Sequence, residues 1–403
     1  MGLDAHGIHI VKGINAMLNV GIIGIGNAGN QVAALAANEM GIDAICINSS
    51  EKDLGMVGGK AKKILIGDSK GAGKNRDEAK AFIKENLKSI CNSEEIDQFF
   101  KSTDGVNKDF VFIVSSTGGG TGSGSAPMFA DIMRALRPNT NFILVGIMPS
   151  ISEAFSAQVN TCEYFKELYS ACADIPYMVY DNEKMSDKPI NVMMDTINKA
   201  IVDDLKVIRG DYQFPTKYCS IDEKDATSIL TTTGRIVIAG ARDIKQKQLD
   251  KKTIGQFIVD DLKENCHAEM NRDKKVHRLG IISYLDADVN EKFDGQLQDV
   301  QEFIGTPIET FTHFAIKGED VSEIPNVIYL IASGLSRIDD RIERVAARVQ
   351  EIQDAQEKLK AHQDSLEGID ISALNAKKEI HKKSETAADA KVDVSNIFAK
   401  FGC

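Results

Sequence analysis

Thr117-Gly118-Gly119-Gly120-Thr121-Gly122-Ser123-Gly124 decides how this chain is read. The stretch follows an apolar run at residues 110–115 and precedes a helix-like run at 126–136. A strand, a glycine loop and a helix in that order gather backbone N–H groups, hydroxyls and the positive end of a helix dipole, which together suit phosphate oxygens. A branched side chain at Gly120 is expected to stand where phosphate must approach. A flexible linker is the plain alternative, but linkers seldom separate a buried strand from a helix. The stretch is not a P-loop, because the Gly-Lys-Ser/Thr ending is missing.

Working outward, a second glycine loop, Gly24-Ile25-Gly26-Asn27-Ala28-Gly29-Asn30, ends a first apolar strand and opens a helix. Alone it matches the GxGxxG loop of dinucleotide-binding folds, so an NAD-dependent oxidoreductase is one reading. That reading expects an acidic ribose binder at the end of the second strand, where Asn48 stands instead, and it leaves the 117–124 stretch unexplained. Strands at 19–24, 44–47, 110–115 and 141–147 alternate with helical stretches, the pattern of an α/β fold whose parallel sheet collects ligands at its carboxyl ends.

Five segments follow from the changes in texture. Residues 1–189 form a Rossmann-like domain, and 190–210 an inter-domain helix with apolar residues near a 3.6 period. Residues 211–335 form a smaller α+β domain, with strands at 235–239, 278–285, 307–314 and 326–332 and helices near 249–265 and 290–303. Across 336–368, Ile338, Ile342, Val345, Val349, Ile352, Gln356, Leu359, Gln363 and Leu366 trace a heptad seam closed by Gly368. Such a helix, about 45 Å long, is expected to pair with another helix, with packing on its own second domain as the alternative. Residues 369–403 read as a mostly disordered tail.

The net charge of -11 argues against direct nucleic-acid binding, which needs clustered Lys and Arg. No run approaches the ~18 apolar residues of a membrane span, and a cytoplasmic protein without membrane contact is expected. The seven Cys form no CxxC pair and read as reduced core fillers, with no metal or redox chemistry assigned to them.

At this point the motifs resemble one family. Gly118 to Gly124 is similar to the tubulin/FtsZ signature GGGTGSG, and Gly26-Asn27-Ala28-Gly29-Asn30-Gln31 resembles tubulin's GQCGNQ. Gly71-Ala72-Gly73-Lys74-Asn75 resembles the loop beside the γ-phosphate, and Pro149 to Glu153 the Pro-x-x-x-Glu ribose loop. Asp181 to Lys184 resembles the segment whose Asn, here Asn182, reads guanine; Asp195 matches the acid over the base. The resemblance covers most of residues 18–335 and implies a GTP-binding, GTP-hydrolysing cytoskeletal protein that polymerises head to tail. GTP or GDP would be bound with Mg²⁺ bridging the phosphates, through protein metal ligands left unassigned. Ser220-Ile221-Asp222-Glu223-Lys224-Asp225 resembles the catalytic Asn-x-Asp-x-x-Asp loop, which acts on the neighbouring subunit's nucleotide and makes Asp222 and Asp225 the catalytic candidates. Ser220-Ile221-Asp222-Glu223, a Ser-x-Asp-Glu run, is also an ordinary helix-capping pattern.

Ser220 replaces the usual Asn, Ala157 stands where FtsZ has an Arg, Ile190 replaces the aromatic stacked on guanine, and Met194 sits where an Asn is common. These departures point toward the divergent plasmid and phage tubulin-like group, the TubZ/PhuZ type, in which segregation or positioning of a genome is one use. A GTP-dependent scaffold that does not hydrolyse is the rival reading. An adaptor or a second protofilament, bound through the long helix and tail, is the expected partner besides the chain itself.

Overall fold

The structure is a computed structural model that describes residues 17–101, 107–271, 273–293, 295, 297–318, 324–364 and 400–401. Ten strands form one sheet: β1 (Val20–Ile25), β2 (Asp43–Asn48), β3 (Lys62–Leu65), β4 (Phe110–Ser116), β5 (Asn141–Met148), β6 (Tyr177–Asp181), β7 (Arg235–Arg242), β8 (Arg278–Leu285), β9 (Glu309–Ile316) and β10 (Val327–Leu335). Their order is β3-β2-β1-β4-β5-β6-β7-β10-β8-β9. The first six are parallel. β6 meets β7 in parallel at Tyr177 and Arg235, after which β10 runs antiparallel to both β7 and β8.

β1 and β6 are buried along their whole length and β4 as far as Ser115, as a sheet covered on both faces requires. One face packs on the helices Gly26–Met40 and Ile190–Arg209, the other on Arg76–Cys91, Thr121–Leu136 and Phe155–Ser170. A third cluster fills the space between β7, β8, β10 and the helix Ile254–Glu264. The helix Ile190–Arg209 coincides with the stretch expected from periodicity, and polar contacts tie it to both halves. Lys199 and Lys206 each reach Glu39 at 2.7 Å, while Asp204 meets His267 Nε2 at 2.8 Å and the Tyr180 hydroxyl at 2.6 Å.

Several expectations are corrected. Helix 290–303 is two pieces, Ala287–Asn290 and Gln298–Ile304, because Gly295 and Leu297 adopt left-handed φ of 71° and 52° between them. β3 and β6 were not expected; β3 is an edge strand carrying Lys62 and Lys63, and lysines on an edge hide the apolar signal. Cys46, Cys172 and Cys266 are buried, and burial pushes the Cys46 and Cys266 thiols up to about 12 and about 11, but Cys219 is exposed and fills no core.

The heptad seam is corrected most. The helix Asp339–Asp364 lays the start of the seam on its own chain, chiefly against helix Phe155–Ser170 of the first half of the sheet, with Arg344 also reaching Glu269 of 211–335 at 2.7 Å. Ile338 and Val345 are fully buried, Ile342, Val349 and Ile352 are half-buried, and Gln356 is exposed. The first seam positions are therefore taken up by the chain's own first half, while Gln356 is left exposed. The Gly368 cap and residues 369–399 of the expected disordered tail lie outside the described residues. Phe401 is buried, its carbonyl accepting from Lys80 Nζ at 2.9 Å.

This docking predicts that Ile338→Ala lowers unfolding stability by about 2–5 kcal/mol, the usual range for emptying a large buried aliphatic site. Gln356→Ala should leave it unchanged. Urea denaturation of the two variants measures both, and equal, negligible effects would contradict the docking.

Candidate functional site

The parallel strands leave their carboxyl ends along one edge, and the order β2-β1-β4-β5 reverses direction between β1 and β4, the place where such sheets bind ligands. A cleft of about 530 Å³ opens there. It is lined by Gly26, Asn27 and Ala28 after β1, Asn48 and Ser50 after β2, Gly71, Ala72 and Gly73, and Ser116, Gly119, Gly120, Thr121 and Gly122 after β4. Asp53, Lys70, Lys74 and Met194 complete the wall.

Backbone meets backbone around this cleft. Gly26 takes φ of 76°, a left-handed value that a side chain disfavours, and a Cβ there would lie 3.0 Å from the amide nitrogen of Gly122. A Cβ on Gly120 would lie 2.7 Å from Lys74 Cα. This corrects the expectation for Gly120: a side chain would wedge the two loops apart rather than point at the ligand.

The remaining residues of the signature stand behind the cleft. Gly118 faces the buried Ala157, with a virtual Cβ 3.0 Å from that of Ala157, and Gly124 presses on the Arg76 backbone. Ser123 is buried and donates its hydroxyl to the Gly119 carbonyl. Gly29 is packed under Val114, and Asn30 is buried with neither amide atom paired among the described residues.

Asn48 shows what the cleft accepts. Its Oδ1 takes N–H bonds from Ser49 at 2.8 Å and Ser50 at 3.3 Å, which fixes the amide, and its buried Nδ2 has no partner among the described residues. A fixed donor left unpaired costs about 1–3 kcal/mol unless an acceptor arrives. This donor lies beside the helix start at Thr121, whose first N–H groups are the kind of partner an anion finds. Among the described residues no cluster of three or more His, Cys, Asp or Glu could hold a metal ion, so Asp53 is the carboxylate that the cleft wall offers.

Asn182 and Glu153 come together at the next two strand ends: Asn182 Nδ2 donates to Glu153 Oε1 at 2.9 Å, which also accepts from the Ser150 amide at 2.9 Å. Asp195 is exposed on the helix beside Met194, and Met194 rather than Asp195 lines the cleft. Asp222 and Asp225 line it nowhere. They form a capping box at the helix Glu223–Leu230, with Asp222 Oδ1 accepting from the Asp225 amide at 2.9 Å and Asp225 Oδ2 from the Asp222 amide at 3.2 Å.

Residues 19–188 match the tubulin/FtsZ family, GTPase domain. That stretch is a tubulin/FtsZ-family GTPase domain. The tubulin-like protein CetZ of Pyrococcus horikoshii is 25% identical over 279 residues, 65% of this chain and 71% of that protein. The tubulin-like protein TubZ of Clostridium botulinum C phage is 22% identical over 365 residues, 89% of this chain and 92% of that one. The crystal structure of GDP-form protofilaments of TubZ from Bacillus thuringiensis serovar israelensis superposes with a TM-score of 0.71 at 16% identity, covering 88% of this chain and 95% of that one. Among the described residues no helix is long and apolar enough to cross a membrane.

Sequence reasoning missed Asn160, because its spacing from the glycine loops in the chain carries no signal. The helix Phe155–Ser170 carries its Nδ2 to three carbonyls, those of Lys74 at 3.0 Å, Gly119 at 3.1 Å and Gly118 at 3.3 Å. Lys74 holds φ of 64° under this grip. Arg76 supports it from behind, with Nη1 on the Ser123 carbonyl at 2.6 Å and Nη2 on Glu167 at 2.5 Å. Asn160→Leu should therefore release the two loops and weaken GTP binding by about tenfold or more, since each orphaned buried group costs about 1–3 kcal/mol. Isothermal titration with GTP checks this, and unchanged affinity in the folded variant would contradict it.

Proposed function

We propose that the chain binds GTP in the cleft and hydrolyses it when subunits stack head to tail, Asp222 and Asp225 of one subunit completing the site of the next. The observation that carries this reading is the separation of parts: glycine loops line the cleft, while the paired carboxylates stand exposed and half-buried on another loop, away from its wall. A single subunit then holds half a site.

The backbone N–H groups of Gly119 to Gly122 and the Asn48 amide would take the phosphates, and Asn27 with Ala28 the neighbouring edge. Mg²⁺ would neutralise charge between phosphate oxygens, taking most ligands from them and from water, with Asp53 as the carboxylate in reach of the cleft. Glu153 suits ribose hydroxyls. Guanine offers N1–H and an amino group as adjacent donors, which a carboxylate at Asp195 accepts, while Asn182 supplies either polarity. Asp222 and Asp225 use one oxygen each in the cap, leaving the second of each to orient water. In this reading residues 1–189 bind nucleotide and 211–335 present the loop that activates the neighbour. The helix beyond Val349, exposed at Gln356, offers itself to an adaptor or a second filament strand.

The capping box favours one rival. If both carboxylates serve only to start the helix Glu223–Leu230, the protein is a GTP-dependent scaffold without turnover. Asp222→Ala separates the two. Under the composite site it binds GTP as wild type does and assembles, yet phosphate release falls roughly 10²–10⁴-fold, the usual contribution of a positioned base. Wild type held below its assembly concentration should be nearly inactive. Phosphate release by assembled wild type no faster than by Asp222→Ala would favour the scaffold.

A further inference from the structure

Arg341 lies in the first turn of the long helix and is fully buried. Its Nε donates to Asp181 Oδ2 at 2.7 Å, and its Nη2 to Asp181 Oδ1 and to the Pro149 carbonyl, both at 3.0 Å. One guanidinium thus fastens the carboxyl ends of β5 and β6, where the ribose and base loops begin.

From Asp181 the bonds run on to both side chains assigned to the guanosine. Asp181 Oδ1 also accepts the Glu183 amide at 3.0 Å, capping the turn Asn182–Met185. Glu183 Oε2 accepts the Ile151 amide at 2.8 Å, which ties the base loop to the ribose loop. Asn182 and Glu153 close the circuit at 2.9 Å. Helix stability does not explain this placement. A cation in a first turn opposes the helix dipole, a buried ion pair is often no better than apolar residues of equal volume, and Arg341 Nη1 stays unpaired among the described residues. The rigid fork does what an apolar anchor cannot, holding a carboxylate and a carbonyl in fixed register.

We infer that Arg341 is a positioning residue for the guanosine end of the site, and that docking of the long helix is coupled through it to nucleotide occupancy. The inference rests on the GTP reading above. Coupling is reciprocal: if the docked helix orders the two loops for guanosine, bound guanosine holds the helix down by the same factor.

Two variants test it, because loss of one partner of a buried pair can prevent folding. Arg341→Lys keeps the charge but loses the fork, and the double variant Asp181→Leu with Arg341→Leu leaves no charge unpaired. In full-length protein with a cooperative melt, GTP affinity should fall about tenfold and ATP affinity by less, because ATP shares the ribose but not the guanine contacts, so the GTP-to-ATP ratio shrinks. General destabilisation would not alter that ratio. In parallel, hydrogen exchange on wild type should slow at the amides of residues 341–348 when GTP is added, and less so with ATP. An unchanged ratio in folded variants overturns the inference alone. Should neither variant fold, exchange decides, and helix protection indifferent to GTP overturns it. Wild type that binds no GTP overturns the nucleotide reading and this inference together.

Discussion

The close approach of bare backbone at the sheet edge governs the rest of the structure. Gly120 lies against Lys74, Gly26 beside Gly122 and Gly29 under Val114, each too close to admit a Cβ without displacement. What these contacts yield is a surface of N–H groups rather than side chains, which suits phosphate because backbone donors cannot rotate away and carry no counter-charge of their own. The cleft is consequently a product of the fold. The parallel order of β2, β1, β4 and β5 brings the loops to one edge, and Asn160 bridges two of them.

Around that edge, side chains from distant segments do the tethering. Arg76 reaches the start of the helix behind the cradle, Lys199 and Lys206 hold the central helix to the helix after β1, and Arg341 clamps the outer loops. Each of these groups is at least partly withdrawn from solvent, so their interactions are less screened by salt than surface pairs. The Asp222 and Asp225 loop is tethered to none of these, which leaves it on the surface available to a second copy.

Much of the first half was legible because its signals are local. Glycine loops after apolar runs mark β1 and β4 with their loops, and the apolar period across 190–210 marks the central helix, which ends at Arg209 where Gly210 turns left-handed. What failed depends on partners remote in sequence. The heptad pattern of Ile338, Ile342 and Val345 is the same whether the partner is another chain or the helix Phe155–Ser170, and periodicity cannot tell them apart. Asn160 and Arg341 carry no motif of their own; their roles come from contacts 41 to 192 positions away. The direction of a Cβ at Gly120 was equally hidden, since it depends on where the Lys74 loop lies.

In the proposed filament, one subunit's carboxylates complete the next subunit's cleft. Electron cryo-microscopy of protein assembled with a slowly hydrolysed GTP analogue tests it most directly. The account predicts a polar filament with nucleotide density between Gly119–Gly122 of one subunit and Asp222 and Asp225 of its neighbour, the carboxylates within one water of the terminal phosphate. Filaments in which that loop faces solvent, or in which the nucleotide is enclosed by a single subunit, would contradict it.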